Sequence, residues 1–408
     1  MPKNHIITGL DIGTSSIKAL AVAKNPKSPD LEILGKIQIP SFGIRRGVVV
    51  EVDEVSKRIT EGLCQLQEEI GHKIEDVYIN VGGSHLFATP SHGTVVVSRA
   101  DQKISEEDRD RVIQAAQTFP LQLNKEILDI YPIEFIVDNQ RQIKNPLGMQ
   151  GLRLEAEVIA LGAFSPFLKN LTATVLNAGF QISDIVPSII ASSRAVLTPQ
   201  QKELGVCILD MGAGTTDMAI FEEGNLLDVA VFPVGSERIT NDLAVGLKTD
   251  VEIAEQIKKE FGTCVLKGGN KKERIEPPPG LGNGEPLVFS QKMLVKIIEA
   301  RVSEIFDLVR QEIKKISPKG LLPAGIVLTG GGVKLPKIVE IAKKELKLPA
   351  RIGVPQKIEG LDGDPSWSTV AGLVLGGLDL EEEVVRTPVF GKDGLATKFK
   401  KIFRIFIP

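Results

Sequence analysis

This chain is poor in the residues that staple or ligate. Its 408 residues include three cysteines, Cys64, Cys207 and Cys264, far apart and odd in number, and four histidines. No metal-ligand spacing links them, which excludes a disulfide framework and a cysteine–histidine zinc site and makes a reducing cytoplasm the expected compartment. No apolar run approaches the roughly 18 residues that a membrane-spanning helix needs. Met1-Pro-Lys-Asn leads straight into an apolar strand, so no signal peptide is expected either. An excess of positive charge is also missing: a net charge of −3 and a pI near 6.0 argue against nucleic acid as a partner. So are the two commonest phosphate loops, the Gly-x-x-x-x-Gly-Lys-Ser/Thr loop and the glycine fingerprint of dinucleotide folds, both of which open a helix. With 42% hydrophobic residues, the chain can still bury the cores of two or three domains.

What is present is a repeat. Gly9-Leu-Asp11-Ile-Gly13-Thr14-Ser15-Ser16-Ile-Lys18 and Ile208-Leu-Asp210-Met-Gly212-Ala213-Gly214-Thr215-Thr216-Asp217 share one pattern: an apolar run, Asp-x-Gly, then small hydroxyl residues. Apolar residues resume after each glycine turn, so each copy reads as a β-hairpin and not as a strand entering a helix. One such turn is ordinary hairpin chemistry; two matched copies from the halves of a duplicated protein can close on a polyphosphate from opposite sides. Glycine admits close backbone approach and aims consecutive N–H groups at an anion. Thr14, Ser15, Thr215 and Thr216 add hydroxyl donors. Asp11 and Asp210, at the strand ends, can hold a magnesium ion through its waters, and Asp210 can also orient an attacking water. A third element, Ala324 to Thr329 followed by Gly330-Gly331-Gly332, is an apolar strand running through bare backbone into a helical segment, suited to the nucleoside end of the ligand.

With these residues the chain resembles the actin, Hsp70 and sugar-kinase ATPases, and within them the bacterial cell-division FtsA family over nearly its whole length. The matches that carry this lie outside the nucleotide motifs: Tyr78 to His85 (YINVGGSH), Asn145 to Leu154 (NPLGMQGLRL), Leu204 to Asp210, Ala324 to Gly331 and Arg351 to Pro355 (RIGVP). The resemblance implies an α/β fold of actin-like (ribonuclease H-like) duplicated domains with two inserted subdomains, binding ATP and Mg. The expected division is residues 1–83 with 163–198 as the first core subdomain and 84–162 as an FtsA-specific insertion. Residues 199–233 with 316–380 form the second core and 234–315 its insertion, followed by a linker over 381–394 and a terminal helix over 395–408.

Position by position, the family pattern puts Gly13, Thr14, Ser15, Ser16, Lys18, Gly212, Ala213, Gly214, Thr215, Thr216, Gly235, Ser236, Lys258, Gly330, Gly331 and Gly332 around the nucleotide. Relatives place a lysine directly after the first Gly-Thr-Ser, whereas here Ser16 stands there and the lysine is Lys18. Ile185 to Ser188, where active chaperone-type relatives carry Glu or Gln beside the water, offers no such group, so any hydrolysis is expected to be slow. Inside the chain, Val55, Ile59, Leu63, Leu66 and Ile70 form one apolar helix face. Strands are expected at Gly93–Val97 and Ile127–Val137, and a helix at Ser105, whose spacing to Asp108 resembles a capping box. The second insertion should contain helices over Asp250–Phe261 and Phe289–Ile316 flanking a mobile loop over Lys267–Pro286.

The C-terminus carries its own signal. Leu395, Phe399, Ile402, Phe403 and Phe406 fall within an arc of about 100° on a helix, with Lys398, Lys400, Lys401 and Arg404 around the remainder. That pattern fits a helix lying in the headgroup boundary of an anionic bilayer. Four cations contribute roughly 1 kcal/mol each and the partly inserted apolar side chains about the same total, against an ordering cost on the order of 1 kcal/mol for each of about a dozen residues, so a single tail holds weakly and a filament presenting many holds firmly. The resemblance further implies self-assembly into filaments, later division proteins as partners, and binding of the C-terminal peptide of the tubulin-like ring protein FtsZ, with Arg301 at a position of that contact surface. A pilus-assembly relative and a small-molecule kinase of the same superfamily are the alternatives; the basic terminal helix argues against the first and the lack of an identifiable substrate base against the second.

Overall fold

The computed structural model describes residues 6–24, 31–118, 123–266, 271–276, 286–316, 322–358 and 360–386. Strands β1 (Ile6–Ile12), β2 (Ser16–Lys24) and β3 (Leu31–Pro40) form an antiparallel meander. The first two are buried along almost their entire length, which is why they read as continuous apolar runs without alternation. A short hairpin of β4 (Ile44–Arg45) and β5 (Val48–Val49) precedes α1 (Val52–Ile70). The apolar face expected of α1 is buried through Val55, Ile59, Leu63 and Leu66, and the helix ends at Gly71 in the left-handed conformation, φ 66°. β6 (Asp76–Val81) then returns parallel to β1.

The first insertion consists of β7 (Phe87–Val96), α2 (Glu106–Ala116), β8 (Lys125–Val137), β9 (Gln140–Ile143) and β10 (Arg153–Phe164). Its sheet has the order β7-β10-β8-β9. The capping box at the start of α2 is present in both directions: Ser105 Oγ accepts from the Asp108 N–H and the Asp108 carboxylate accepts from the Ser105 N–H. The helix can lie on β7 because Gly93 stands beneath it, where a Cβ would come 2.3 Å from the Val112 carbonyl oxygen. The chain returns through α3 (Ser165–Asn177), β11 (Gln181–Pro187), α4 (Ser188–Val196) and the short α5 (Pro199–Leu204).

The second half repeats the first. β12 (Val206–Met211), β13 (Thr216–Glu222) and β14 (Asn225–Phe232) form the same meander. After α6 (Ser236–Leu247), α7 (Val251–Phe261), β15 (Lys272–Ile275), β16 (Leu287–Ser290) and α8 (Gln291–Ile316) come β17 (Ile326–Thr329), α9 (Ile338–Leu346), β18 (Ala350–Ile352) and α10 (Ser368–Arg386). The two large sheets run β3-β2-β1-β6-β11 and β14-β13-β12-β17-β18. In each, three antiparallel strands continue into parallel ones, so the repeat legible at the hairpins extends to the whole lobe.

The packing is layered. α1 and α3 cover the outer face of the first sheet, while α6, α7, α8 and α9 cover the outer face of the second. Between the two sheets lie α4 and α10, whose Ile189, Ile190, Val196, Val370, Leu373 and Val374 share one core with residues of both lobes. These helices cross closely: a Cβ on Gly372 would fall 1.8 Å from the Ala191 carbonyl oxygen.

Several local expectations need correction. The segment expected as a loop from Lys267 holds β15 at Lys272–Ile275, paired antiparallel with β16, because Ile275 finds a buried place against the core of the second lobe. Phe289 belongs to β16, and α8 begins at Gln291. The strand expected at Gly93–Val97 is twice as long and starts at Phe87, its first half being held by pairing with β10. The terminal helix at 395–408 lies outside the described residues.

Candidate functional site

Both hairpins close identically. The Gly13 N–H donates to the Ser16 carbonyl at 3.2 Å and the Gly212 N–H to the Thr215 carbonyl at 2.9 Å. The residues within each turn, Thr14–Ser15 and Ala213–Gly214, stand outside the ladder. The turns meet each other: a Cβ on Gly214 would lie 2.7 Å from Thr14 Oγ1 and 2.9 Å from Arg46 Cα, so glycine is required there for the lobes to approach. Thr14 Oγ1 also accepts from the Gly47 N–H at 3.0 Å, which fastens the first turn to the β4–β5 hairpin.

Each strand-end aspartate is held by its own lobe and its neighbours. Asp11 accepts from Asn80 Nδ2 at 2.9 Å and lies 3.6 Å from Lys18 Nζ; Asn80 also bonds Ser188 Oγ and receives the Ile12 N–H. Asp210 accepts from Ser192 Oγ at 2.6 Å and Thr369 Oγ1 at 3.2 Å. Burial raises the pKa of Asp11 against the pull of Lys18. It raises that of Asp210 too, with the negative charge of Asp11 adding to the effect. The two carboxylates are therefore near enough to sense one another across the cleft, with Lys18 acting on both. The strand end at Ile185 to Ser188 supplies Ser188, whose hydroxyl bonds the Val81 carbonyl.

Asp217 was missed as a site residue, yet the hairpin register announces it. In each copy the residue seven positions after the aspartate is its cross-strand partner: Lys18 for Asp11 and Asp217 for Asp210. The first lobe thus neutralises its aspartate where the second doubles the negative charge. Asp217 is 5% exposed and its Oδ1 makes no hydrogen bond among the described residues. Burial, then the charges of Asp210 and Asp11, push its pKa up to about 7.

The glycine turn after β17 packs on the second hairpin. Gly330 has φ 88°, and a Cβ there would come 2.2 Å from Asp210 Oδ1; a Cβ on Gly332 would lie 2.9 Å from the Met211 carbonyl and 3.2 Å from Ser236 Cβ. Gly331 faces more open space. At the start of α6, a Cβ on Gly235 would lie 2.4 Å from the Ala213 carbonyl oxygen, and the Ser236 N–H donates to the Gly212 carbonyl at 2.9 Å. Lys258 is buried beside it, its Nζ 2.7 Å from Thr240 Oγ1, 3.3 Å from the Ser236 carbonyl and 2.5 Å from Glu255. Thr216 is fully buried and spends its hydroxyl on the Val234 carbonyl at 2.8 Å, whereas Ser15 is exposed at the turn. The hairpins, the triple glycine, Gly235, Ser236 and Lys258 therefore adjoin one cleft between the lobes.

A buried site with three carboxylates and one lysine lacks positive charge, and that donor set suits a divalent cation. Among the described residues no group of three carboxylates, histidines or cysteines could hold a metal ion. Arg301 is elsewhere, on α8. Its guanidinium pairs with Asp242 of α6 at 2.6 and 3.0 Å and with Glu304 at 2.7 Å. No helix among the described residues is long and apolar enough to cross a membrane.

Duplicated sheets, two central helices and a glycine-lined cleft define an actin-like fold. A chain of the PilM-PilN type IV pilus biogenesis complex superposes with a TM-score of 0.66 at 18% identity, covering 91% of this chain and 98% of that one. MreB5 of Spiroplasma citri bound to ADP gives 0.56 at 15% identity over 95% and 100%. Sequence goes further than fold. The description "Cell division protein FtsA" matches residues 207–372, and "SHS2 domain inserted in FTSA" matches residues 83–161. The cell division protein FtsA of Pseudomonas aeruginosa is 35% identical over 389 residues, 95% of this chain and 92% of the relative. That of Bacillus subtilis is 34% identical over 92% and 84%. The chain belongs to the FtsA cell-division family, and with the chain of the pilus complex it shares the fold alone.

Proposed function

We propose that this chain is an ATP-binding, filament-forming division protein that works on the cytoplasmic face of the cell membrane at the division site. The observation that carries the reading is the meeting of the two matched hairpins, where Gly214 of the second stands against Thr14 of the first. The turn residues Thr14, Ser15, Ala213, Gly214 and Thr215 would present N–H and hydroxyl groups to the phosphates, on turns that Gly13, Ser16, Gly212 and Thr216 hold in shape, with Lys18 adding charge. Gly235, Ser236, Lys258 and the Gly330-Gly331-Gly332 turn would line the nucleoside end. Asp11 and Asp210 would hold hydrated magnesium, which when bound neutralises phosphate charge, and Asp210 would position water. Asp210 is met by the hydroxyls of Ser192 and Thr369, groups with little capacity to take a proton, so turnover is slow and ATP serves chiefly as a ligand that fixes the lobes in a polymerising geometry.

The remaining parts of the reading concern attachment. Residues 395–408 would lie on an anionic bilayer through Leu395, Phe399, Ile402, Phe403 and Phe406 with Lys398, Lys401 and Arg404 toward the headgroups. The second insertion would bind the C-terminal peptide of FtsZ, with Arg301 at or beside the contact. Family membership and the apolar and basic faces of the tail support this. Flotation of the full chain with anionic liposomes tests it, together with pull-down by the FtsZ peptide comparing wild type and Arg301→Glu. Failure to float and failure to capture the peptide would overturn the attachment reading.

A further inference from the structure

Behind the cleft, where β8 of the inserted sheet, α4, α5 and the β13–β14 hairpin meet, lies a cavity of about 200 Å³. Its charged lining is cationic. Lys202 sits with its ammonium 4.6 Å from the centre of the Phe221 ring. The charges that act on it come from Arg194, which also lines the cavity, and from Lys357, both positive. Burial and these neighbours bring its pKa down to about 8. Glu203, the next residue, is taken by Lys144 at 2.7 Å. A third polar group is the buried Tyr131 hydroxyl, on which Asp129 acts both by charge and by hydrogen bond. The carboxylate of Asp184 acts on this phenol too. Two half-buried cations share a cavity whose lining holds no carboxylate, an arrangement that favours a ligand of opposite charge.

We infer that this cavity binds a small oxyanion, a carboxylate or a phosphate. Lys202 and Arg194 supply the charge, Tyr131 supplies a hydroxyl donor, and Phe221 and Leu226 form an apolar wall for the rest of the ligand. Three units of the fold contribute to it, and α4, which brings Arg194 here, also carries Ser188 and Ser192 to the interlobe cleft. An anion in this place would brace the helix that holds Asp210.

Calorimetric titration of the full chain with inorganic phosphate and with succinate tests this, comparing wild type with Lys202→Met, Arg194→Met and the surface control Lys315→Gln. At least one probe should bind saturably to wild type and to the control. Each cavity variant should bind it about tenfold or more weakly, the loss expected when a charge-assisted hydrogen bond is removed. Tyr131→Phe, which deletes one hydroxyl and keeps the ring, should weaken it severalfold and keeps the test decisive if a cation variant does not fold. Binding of phosphate alone or succinate alone identifies which oxyanion the site prefers. Absence of saturable binding, or binding retained by the cavity variants because the probe sits elsewhere, overturns the assignment.

Discussion

Asp217→Asn should make the nucleotide-free protein more stable at pH 8 and somewhat less stable at pH 4, where the wild-type carboxyl is protonated and the cost of the buried amide is left uncompensated. A carboxyl whose pKa rises from 3.8 in the unfolded chain to about 7 in the fold is harder to ionise in place by about 4 kcal/mol. The sign follows from proton binding. Between the two pKa values the folded state holds the proton more tightly, so wild type loses stability as pH rises through that window and levels off above pH 7. Asparagine removes the ionisation but leaves a buried amide with an incomplete hydrogen-bond set, a cost of roughly 1–3 kcal/mol. The net gain at pH 8 is then about 1–3 kcal/mol. Urea midpoints measured across the pH range in magnesium-free buffer read this directly. A variant that is less stable than wild type at pH 8, or whose pH profile follows that of wild type, would refute the reasoning that Asp217 is a buried acid without a counter-charge.

Other substitutions probe other layers of the molecule. Gly372→Ala should destabilise the fold by about 3 kcal/mol or more, since its Cβ would collide with the Ala191 carbonyl and push apart the two helices between the sheets; thermal unfolding would show this, and an unchanged midpoint would contradict the packing. Ser105→Ala breaks the capping box of α2 and should cost about 1 kcal/mol, seen as faster amide exchange confined to the inserted sheet and its helix. Phe399→Glu and Phe403→Glu should each reduce liposome flotation about tenfold or more, because a large apolar group leaves the bilayer boundary and a negative charge enters it; undiminished flotation would count against membrane insertion.

The parts of this fold legible in the sequence are those written in local pattern. Asp11 and Gly13, and Asp210 and Gly212, announced two hairpins because apolar residues resumed directly after the turns. The buried run of β17 ahead of three glycines and the Ser105–Asp108 cap were readable for the same reason, as was the α1 face. What escaped depended on tertiary partners. β15 has a basic, loop-like composition, and becomes a strand because β16 pairs with it and Ile275 is buried. The sequence pattern around Arg301 does not announce its ion pair, since only the approach of α6 supplies Asp242. The serines of α4 carry no motif, yet Ser188 holds Asn80, the partner of Asp11, and Ser192 donates directly to Asp210, because the helix is inserted between the sheets. Asp217 is the intermediate case: the register implied by the hairpin places it opposite Asp210, but its lack of a counter-charge appears only when the second lobe is compared with the first.

The most direct measurement is equilibrium titration of the purified chain with magnesium ATP, wild type against an Asp11→Asn, Asp210→Asn double variant. Saturable binding by wild type that falls by about a hundredfold or more in the variant, from the loss of two charge-assisted contacts, is the predicted result. No binding by wild type, or equal affinity in both, would contradict the placement of the nucleotide between the two hairpins.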